Sequence, residues 1–243
     1  MADYLVWLFG CGLSIDCGLR WRVPSEFQQL DREVKVVRIK EEVRAAMNSP
    51  EVDTTPIRSL LAFLADRTAP GWQHLFITTN WDFLLQREVE SFITDGYQPP
   101  WLVDTQVFHL NGTVEQRSDN SNRSPFLLEE DSFAKREWTL EANDPYNKMI
   151  WERNFVAVGM SFECETDRFL LQSLHSAQND MPIGESSWII VNPDPAALDR
   201  SAERIQEALP SCEVHRRYQT FSHWLTSGLP ELASLGVFTK PGR

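Results

Sequence analysis

The sequence predicts an α/β protein: a doubly wound, mostly parallel Rossmann-like sheet with helices on both faces. Three observations predict it. Short apolar runs of strand length recur along the 243 residues, each ending in Gly, Asn or another small polar residue. Longer segments with apolar residues at helical spacing lie between them, and this alternation is what parallel βαβ units require. Hydrophobic residues make up 42% and charged residues 24%, the balance of an ordinary globular chain with sequence enough for a sizeable core.

The elements follow in order. Tyr4 to Phe9 is an aromatic-rich strand ending in a tight turn at Gly10-Cys11-Gly12. Ser25 with Gln28 reads as a capping box opening a helix over Glu26 to Met47. Thr55-Pro56 starts another, in which Ile57, Leu60, Leu61 and Leu64 fall on one face, and Gly71 ends that segment. Leu75 to Thr78 is a second strand, followed by Thr79-Asn80-Trp81-Asp82 and a helix through Glu90. Val107 to Leu110 is a third, closed by Asn111-Gly112. Residues 116–125 read as an exposed polar loop and about Asp131 to Trp151 as a helix. Asn154 to Val158 is a fourth strand closed by Gly159, with a helix over Thr166 to Ala177. Trp188 to Val191 is a fifth, stopped by Asn192-Pro193-Asp194-Pro195, with a helix over Leu198 to Leu209. Cys212 to His215 and Phe221 to Leu225 read as a last strand and a last helix. No repeat or linker divides the chain, so residues 1–243 read as a single domain with helical excursions at about 20–73 and 113–150.

Charge and cysteine usage exclude several functions. The net charge of −12 argues against direct nucleic-acid binding, which needs surplus Lys and Arg to replace phosphate counterions. Cysteines at 11, 17, 164 and 212 are too few and scattered for a disulfide framework, and no Cys-x-x-Cys pair exists for a zinc ribbon. Asp3 stands where a signal peptide would be basic, and no apolar run is long enough to span a membrane. The expectation is a cytoplasmic protein with no membrane partner.

In open parallel sheets ligands bind beyond the carboxyl ends of the strands. Five strand ends carry small or polar residues: Gly10-Cys11-Gly12-Leu13-Ser14, Thr78-Thr79-Asn80-Trp81-Asp82, His109-Leu110-Asn111-Gly112, Gly159-Met160-Ser161 and Asn192-Pro193-Asp194. The first has the character of a pyrophosphate site, where glycines let the backbone approach and successive N–H groups face an anion. A dehydrogenase fingerprint is incomplete, because Ile15 occupies the third-glycine position.

Taken in order, these segments resemble the sirtuin-like (silent information regulator two) domain over most of the chain. Gly10-Cys11-Gly12-Leu13-Ser14 with Gly18-Leu19 is similar to that family's Gly-Ala-Gly-Ile-Ser…Gly-Ile-Pro loop. Thr79-Asn80-Trp81-Asp82 resembles Thr-x-Asn-x-Asp, and His109-Leu110-Asn111-Gly112-Thr113 resembles Lys-Leu-His-Gly-Ser. Gly159-Met160-Ser161-Phe162 and Val191-Asn192-Pro193-Asp194 are similar to Gly-x-Ser-Leu and Asn-Pro-Asp. The family's protein deacylases carry a four-cysteine zinc ribbon, which is missing here. The resemblance is therefore to the zinc-free modules that hydrolyse NAD in bacterial anti-phage defence. It implies NAD as substrate or ligand, no metal, release of nicotinamide and ADP-ribose, and a homo-oligomer or a sensor partner chain. Gly10, Cys11, Gly12, Ser14, Thr79, Gly159, Ser161, Asn192 and Asp194 would bind the nucleotide.

Nicotinamide leaves without general-acid help, so a site of this kind stabilises a ribosyl oxocarbenium and places a water. Asn80 would hold that water or a ribose hydroxyl through an amide that donates and accepts. Asp82 would place negative charge near the cation. The family's catalytic histidine position holds Asn111, which cannot accept a proton at neutral pH. Either His109, two residues earlier on the same strand face, takes over as base, or the domain is a weak or inactive NAD/ADP-ribose-binding sensor or assembly subunit. Arg20 and Cys11 also depart from the pattern, where the family has Pro and Ala.

Plainer readings stand beside these. Asn80 and Asp82 are also good caps for the following helix, and Asn111-Gly112 is a standard turn signal. Cys11 is a reactive thiol or simply a small residue. The acidic runs Glu129-Glu130-Asp131 and Glu163 to Asp167 read as solvated helix starts, and the other histidines as structural or surface residues. Trp21 and Trp81 neighbour the site and could stack on nicotinamide or close the pocket.

Overall fold

The computed structural model describes residues 3–93, 98–103, 107–115, 126–128, 149–180 and 186–238. The expected loop at 116–125, the acidic run at 129–131 and nearly all of the helix expected at 131–151 lie outside the described residues.

The chain begins with β1 (Asp3–Phe9) and passes through Gly10 into a short helix, α1 (Cys11–Asp16). A 3-10 turn (Ser25–Gln29), α2 (Arg32–Met47) and α3 (Thr55–Arg67) lead to β2 (Trp72–Thr78), α4 (Leu84–Phe92) and β3 (Phe108–His109). The second half runs β4 (Asn154–Val158), α5 (Glu165–Asp180), β5 (Ser187–Val191), α6 (Pro195–Ala208), β6 (Glu213–Arg217), α7 (Phe221–Thr226) and α8 (Pro230–Ser234). The strands form one six-stranded sheet in the order β3-β2-β1-β4-β5-β6. Every neighbouring pair is parallel.

The alternation within β1 shows why both faces are covered. Leu5, Trp7 and Phe9 join a core with Ile39 of α2, Leu60 of α3 and Trp224 of α7. Val6 and Leu8 point the other way, joining Leu170 of α5 and Leu198 of α6. A strand apolar on both faces can only be central, and each large side chain fully buried there contributes roughly 1.5–3 kcal/mol. His74 is wholly buried in the first core, where Nδ1 accepts from Trp7 Nε1 at 3.0 Å and Nε2 meets Thr68 Oγ1 at 2.9 Å. That network keeps it neutral, and burial pushes its pKa down to about 3.

The single helix expected over Glu26 to Met47 is two pieces. Leu30 and Asp31 are extended, with ψ 146° and 145°, so the chain restarts at Arg32. Ser25 makes no capping hydrogen bond; it is the first residue of the 3-10 turn, behind Pro24. Among the described residues no helix is long and apolar enough to cross a membrane.

Candidate functional site

β1 and β4 are neighbours, yet the chain leaves them in opposite directions, to β2 and β3 on one side and β5 and β6 on the other. This switch point opens a crevice at the carboxyl ends of the strands. Its floor is an interlock of glycine backbones. A Cβ on Gly12 would lie 2.4 Å from Gly159 Cα, and one on Gly159 would lie 2.2 Å from Gly12 Cα. Gly159 also holds φ +59°, in the left-handed region, and Gly12 N–H donates to Gly159 O at 3.3 Å. The glycines of the first loop therefore serve the approach of two protein backbones. Gly10 forms part of the crevice wall, whereas Gly12 lies beneath it.

The end of β2 builds the next part of the wall. Asn80 Nδ2 donates to Gly10 O at 2.9 Å and to Ser14 Oγ at 2.8 Å. Ser14 Oγ donates to Asp82 Oδ2 at 2.6 Å, and Asp82 Oδ1 accepts from Leu84 N at 3.2 Å. Asp82 thus helps start α4, as a capping residue would, while Asn80 reaches back across the switch point. Both amide hydrogens of Asn80 are spent, so what it offers a ligand is its carbonyl oxygen. Burial raises the Asp82 carboxyl, against the opposing hydrogen bonds from Ser14 and Leu84.

The third rim separates two residues that the sequence pairs on one face. β3 ends at His109, and the chain turns at Gly112 (φ +72°), so the i, i+2 relation of a strand does not extend to Asn111. His109 is buried behind the wall, stacked on Phe83 at 5.8 Å, with Nδ1 donating to Asn80 O at 3.2 Å. Burial pushes its pKa down to about 4 and its Nε2 has no partner, so it supports the Asn80 backbone from outside the cavity. Asn111 does line the cavity, but its amide is tied at both ends: Nδ2 donates to Thr79 O at 2.8 Å and Oδ1 accepts from Thr166 Oγ1 at 2.6 Å.

The loop after β4 brings Gly159, Ser161, Cys164 and Asp167 to the wall. Arg204 of α6 holds it, donating to Ser161 O at 2.8 Å and pairing with Glu163 at 3.2 Å. Cys11 faces this loop. Its thiol is raised by burial and then by the charge of Asp167, the opposite of an activated nucleophile. Asn192 and Asp194 are absent from the wall. Asn192 Oδ1 accepts from Asp194 N, and Asp194 caps α6 through Ala196 N and Ala197 N at 2.9 and 3.2 Å.

Together these rims enclose a cavity of about 940 Å³. Its far wall comes from the 20–73 excursion and includes Trp21, Arg22 and Lys35. The indole N–H groups of Trp21 and Trp81 are anchored on Glu42 and on Leu127 O, and the rings meet edge to face at 6.4 Å. Thr79, Asn80, Asn111, Gly159 and Ser161 are brought together as the sequence predicts. Arg22, Lys35 and Asp167 are cavity residues that sequence reasoning missed. Among the described residues no group of three or more His, Cys, Asp or Glu side chains is placed to hold a metal ion.

No family model and no curated protein matches the chain. Solved structures do. A Sir2 enzyme superposes with a TM-score of 0.55 at 16% identity, over 97% of this chain and 94% of its own. A Sir2 protein bound to acetylated peptide superposes with a TM-score of 0.51 at 16% identity, over 94% of this chain and 93% of its own. The fold is sirtuin-like.

Proposed function

We propose that the chain is an NAD-cleaving hydrolase that releases nicotinamide and ADP-ribose. The observation that carries the reading is the cavity at the β1/β4 switch point of a sirtuin-like sheet, walled by Asn80 with its carbonyl oxygen available. Three further features fit a dinucleotide. The volume suits a ligand of that size. Arg22 and Lys35 bring two cations to the far wall, across from the rims that carry Asp82 and Asp167, and cations there suit a pyrophosphate. Trp21 and Trp81, held by their N–H groups, offer apolar surface to a planar ring.

In this reading Asn80 accepts a hydrogen bond from a ribose hydroxyl or from the attacking water, and does not donate one. Ser14 and Asp82 act through Asn80 by fixing its rotamer, a positioning role. The role in anti-phage defence, within an oligomer or beside a sensor chain, rests on the resemblance of the motifs.

A second reading, an NAD- or ADP-ribose-binding subunit without turnover, draws on the tied amide of Asn111 and the exclusion of His109 from the cavity. One experiment separates the two. NAD at a hundred times its dissociation constant stabilises by about 2.7 kcal/mol, or roughly 5–10 °C in melting temperature for a chain of this size. The hydrolase also releases nicotinamide, and Asn80→Ala abolishes that release. Stabilisation without product supports the second reading; no stabilisation by NAD or ADP-ribose overturns both.

A further inference from the structure

The β4 rim carries a group that its surroundings leave incomplete. Asp167, in the first turn of α5, is only 4% exposed and belongs to the cavity wall. The Cys164 thiol and the Phe162 backbone serve its carboxylate, yet Oδ1 is buried with no hydrogen-bond partner. A buried acceptor without a donor has lost its water and gained nothing in exchange, a penalty that grows when the group is charged. The other cavity aspartate, Asp82, has donors on both oxygens.

Its neighbours tie Asp167 to the reacting part of the cavity. Thr166, the preceding residue, holds Asn111 Oδ1 at 2.6 Å, and Asn111 stands where the sirtuin pattern has its histidine. Cys11, next to the Gly10 carbonyl that anchors Asn80, is close enough for the charge of Asp167 to raise its thiol.

We propose that Asp167 is the proton acceptor of the hydrolysis, its carboxylate supplying the general base that Asn111 cannot be. The inference rests on the NAD-hydrolase reading. The oxygen of a water bonds to the ribosyl anomeric carbon as the bond from that carbon to the nicotinamide nitrogen breaks. The bonding pair stays on that nitrogen, so nicotinamide leaves neutral, and the proton of the water passes to the Asp167 carboxylate. The carboxyl must be ionised first. The groups that face it are Cys11 from α1, Cys164 and the Phe162 backbone from its own loop, and Arg204 from α6. Burial outweighs the opposing effects of Cys164, Phe162 and Arg204 and raises the carboxyl to about 6.

The test measures nicotinamide release against pH for the full chain, Asp167→Asn and Asp167→Glu, with NAD-induced melting shifts in parallel. In Asp167→Asn, kcat falls by about 10²–10⁴ while the NAD shift persists, and Asp167→Glu recovers part of the loss. The parent's kcat declines on the acid side of about pH 6, and the residual rate of Asp167→Asn lacks that limb. Most of the parent's kcat surviving in Asp167→Asn, or a parent profile with no acid limb, overturns the proposal. Should Asp167→Asn not fold, the parent profile and the Glu variant decide alone. A parent that binds NAD without releasing nicotinamide overturns the base assignment and leaves an NAD site standing. A parent that does neither removes the hydrolase reading itself.

Discussion

Two of the cavity's rims each bury an aspartate and treat it differently. At the end of β2, Asp82 is the terminus of a chain in which Asn80 donates to Ser14 and Ser14 to Asp82. Leu84 N fills the remaining oxygen, and the wall there is a closed polar network. After β4, Asp167 is just as buried, but one oxygen meets no donor. A saturated network rigidifies and positions, whereas an unsaturated one retains bonding capacity for something else. In the proposed hydrolysis the β2 rim therefore orients, through Asn80, and the proton acceptor comes from the β4 rim, whose acid looks like surface in the sequence.

The sharpest way to break the comparison is to force the rims apart. Gly12 of α1, the helix whose Ser14 carries the β2 network, meets Gly159 of the β4 rim by backbone contact, and Gly159→Ala places a methyl 2.2 Å from Gly12 Cα at φ +59°. Overpacking costs about 1–3 kcal/mol and left-handed strain about 1–2 kcal/mol. Their sum predicts a melting temperature lower by about 10 °C, with nicotinamide release and NAD binding lost together. An unchanged melting curve would show that the interlock yields easily.

Breaking one rim alone has a smaller effect. Ser14→Ala leaves an Asn80 hydrogen and Asp82 Oδ2 without partners in a buried place, costing about 1–3 kcal/mol. Asn80 loses one of the two bonds that fix its rotamer and keeps the one to Gly10 O, so kcat falls. Melting curves and rates for Ser14→Ala, Asp82→Asn and the double variant measure this, and a network gives non-additive losses. Additive losses would mean that the residues act separately.

The sequence makes the sheet plain and only half of the cavity. β4 falls on the expected residues 154–158, and β1, β2 and β5 differ only at their starts, because an all-apolar run closed by Gly or Asn has no other stable setting. Thr79, Asn80, Asn111, Gly159 and Ser161 reach the wall because parallel topology gathers strand ends. What the sequence hides is burial that runs against polarity. On α2, Val34 and Val37 are 46% and 55% exposed while Lys35 is 8% exposed, so an amphipathic reading turns the helix the wrong way. Glu163 to Asp167 reads as a solvated helix start, but only Glu163 and Glu165 are exposed, while Thr166 and Asp167 turn inward. His109 misleads in the opposite sense: its residue type suits catalysis, and its depth removes it from the cavity.

The smallest expected effect separates the two aspartates without any assay of activity. An acid whose pKa is raised by folding binds its proton more tightly in the folded chain, so its ionisation destabilises the fold. For Asp167 that penalty is absent below the ordinary 3.8 and complete above about 6. A shift of this size corresponds to about 3 kcal/mol at most. The amide of Asp167→Asn recovers only part of it, because its own nitrogen needs a partner in the same place. The net expectation is a gain of about 1 kcal/mol near neutral pH. The melting-temperature difference between Asp167→Asn and the parent therefore rises with pH across that window and then levels. Asp82→Asn, which breaks a bond to Ser14, destabilises at neutral pH instead. If Asp167→Asn destabilises there too, its Oδ1 has a donor in solution, and the contrast between the rims disappears.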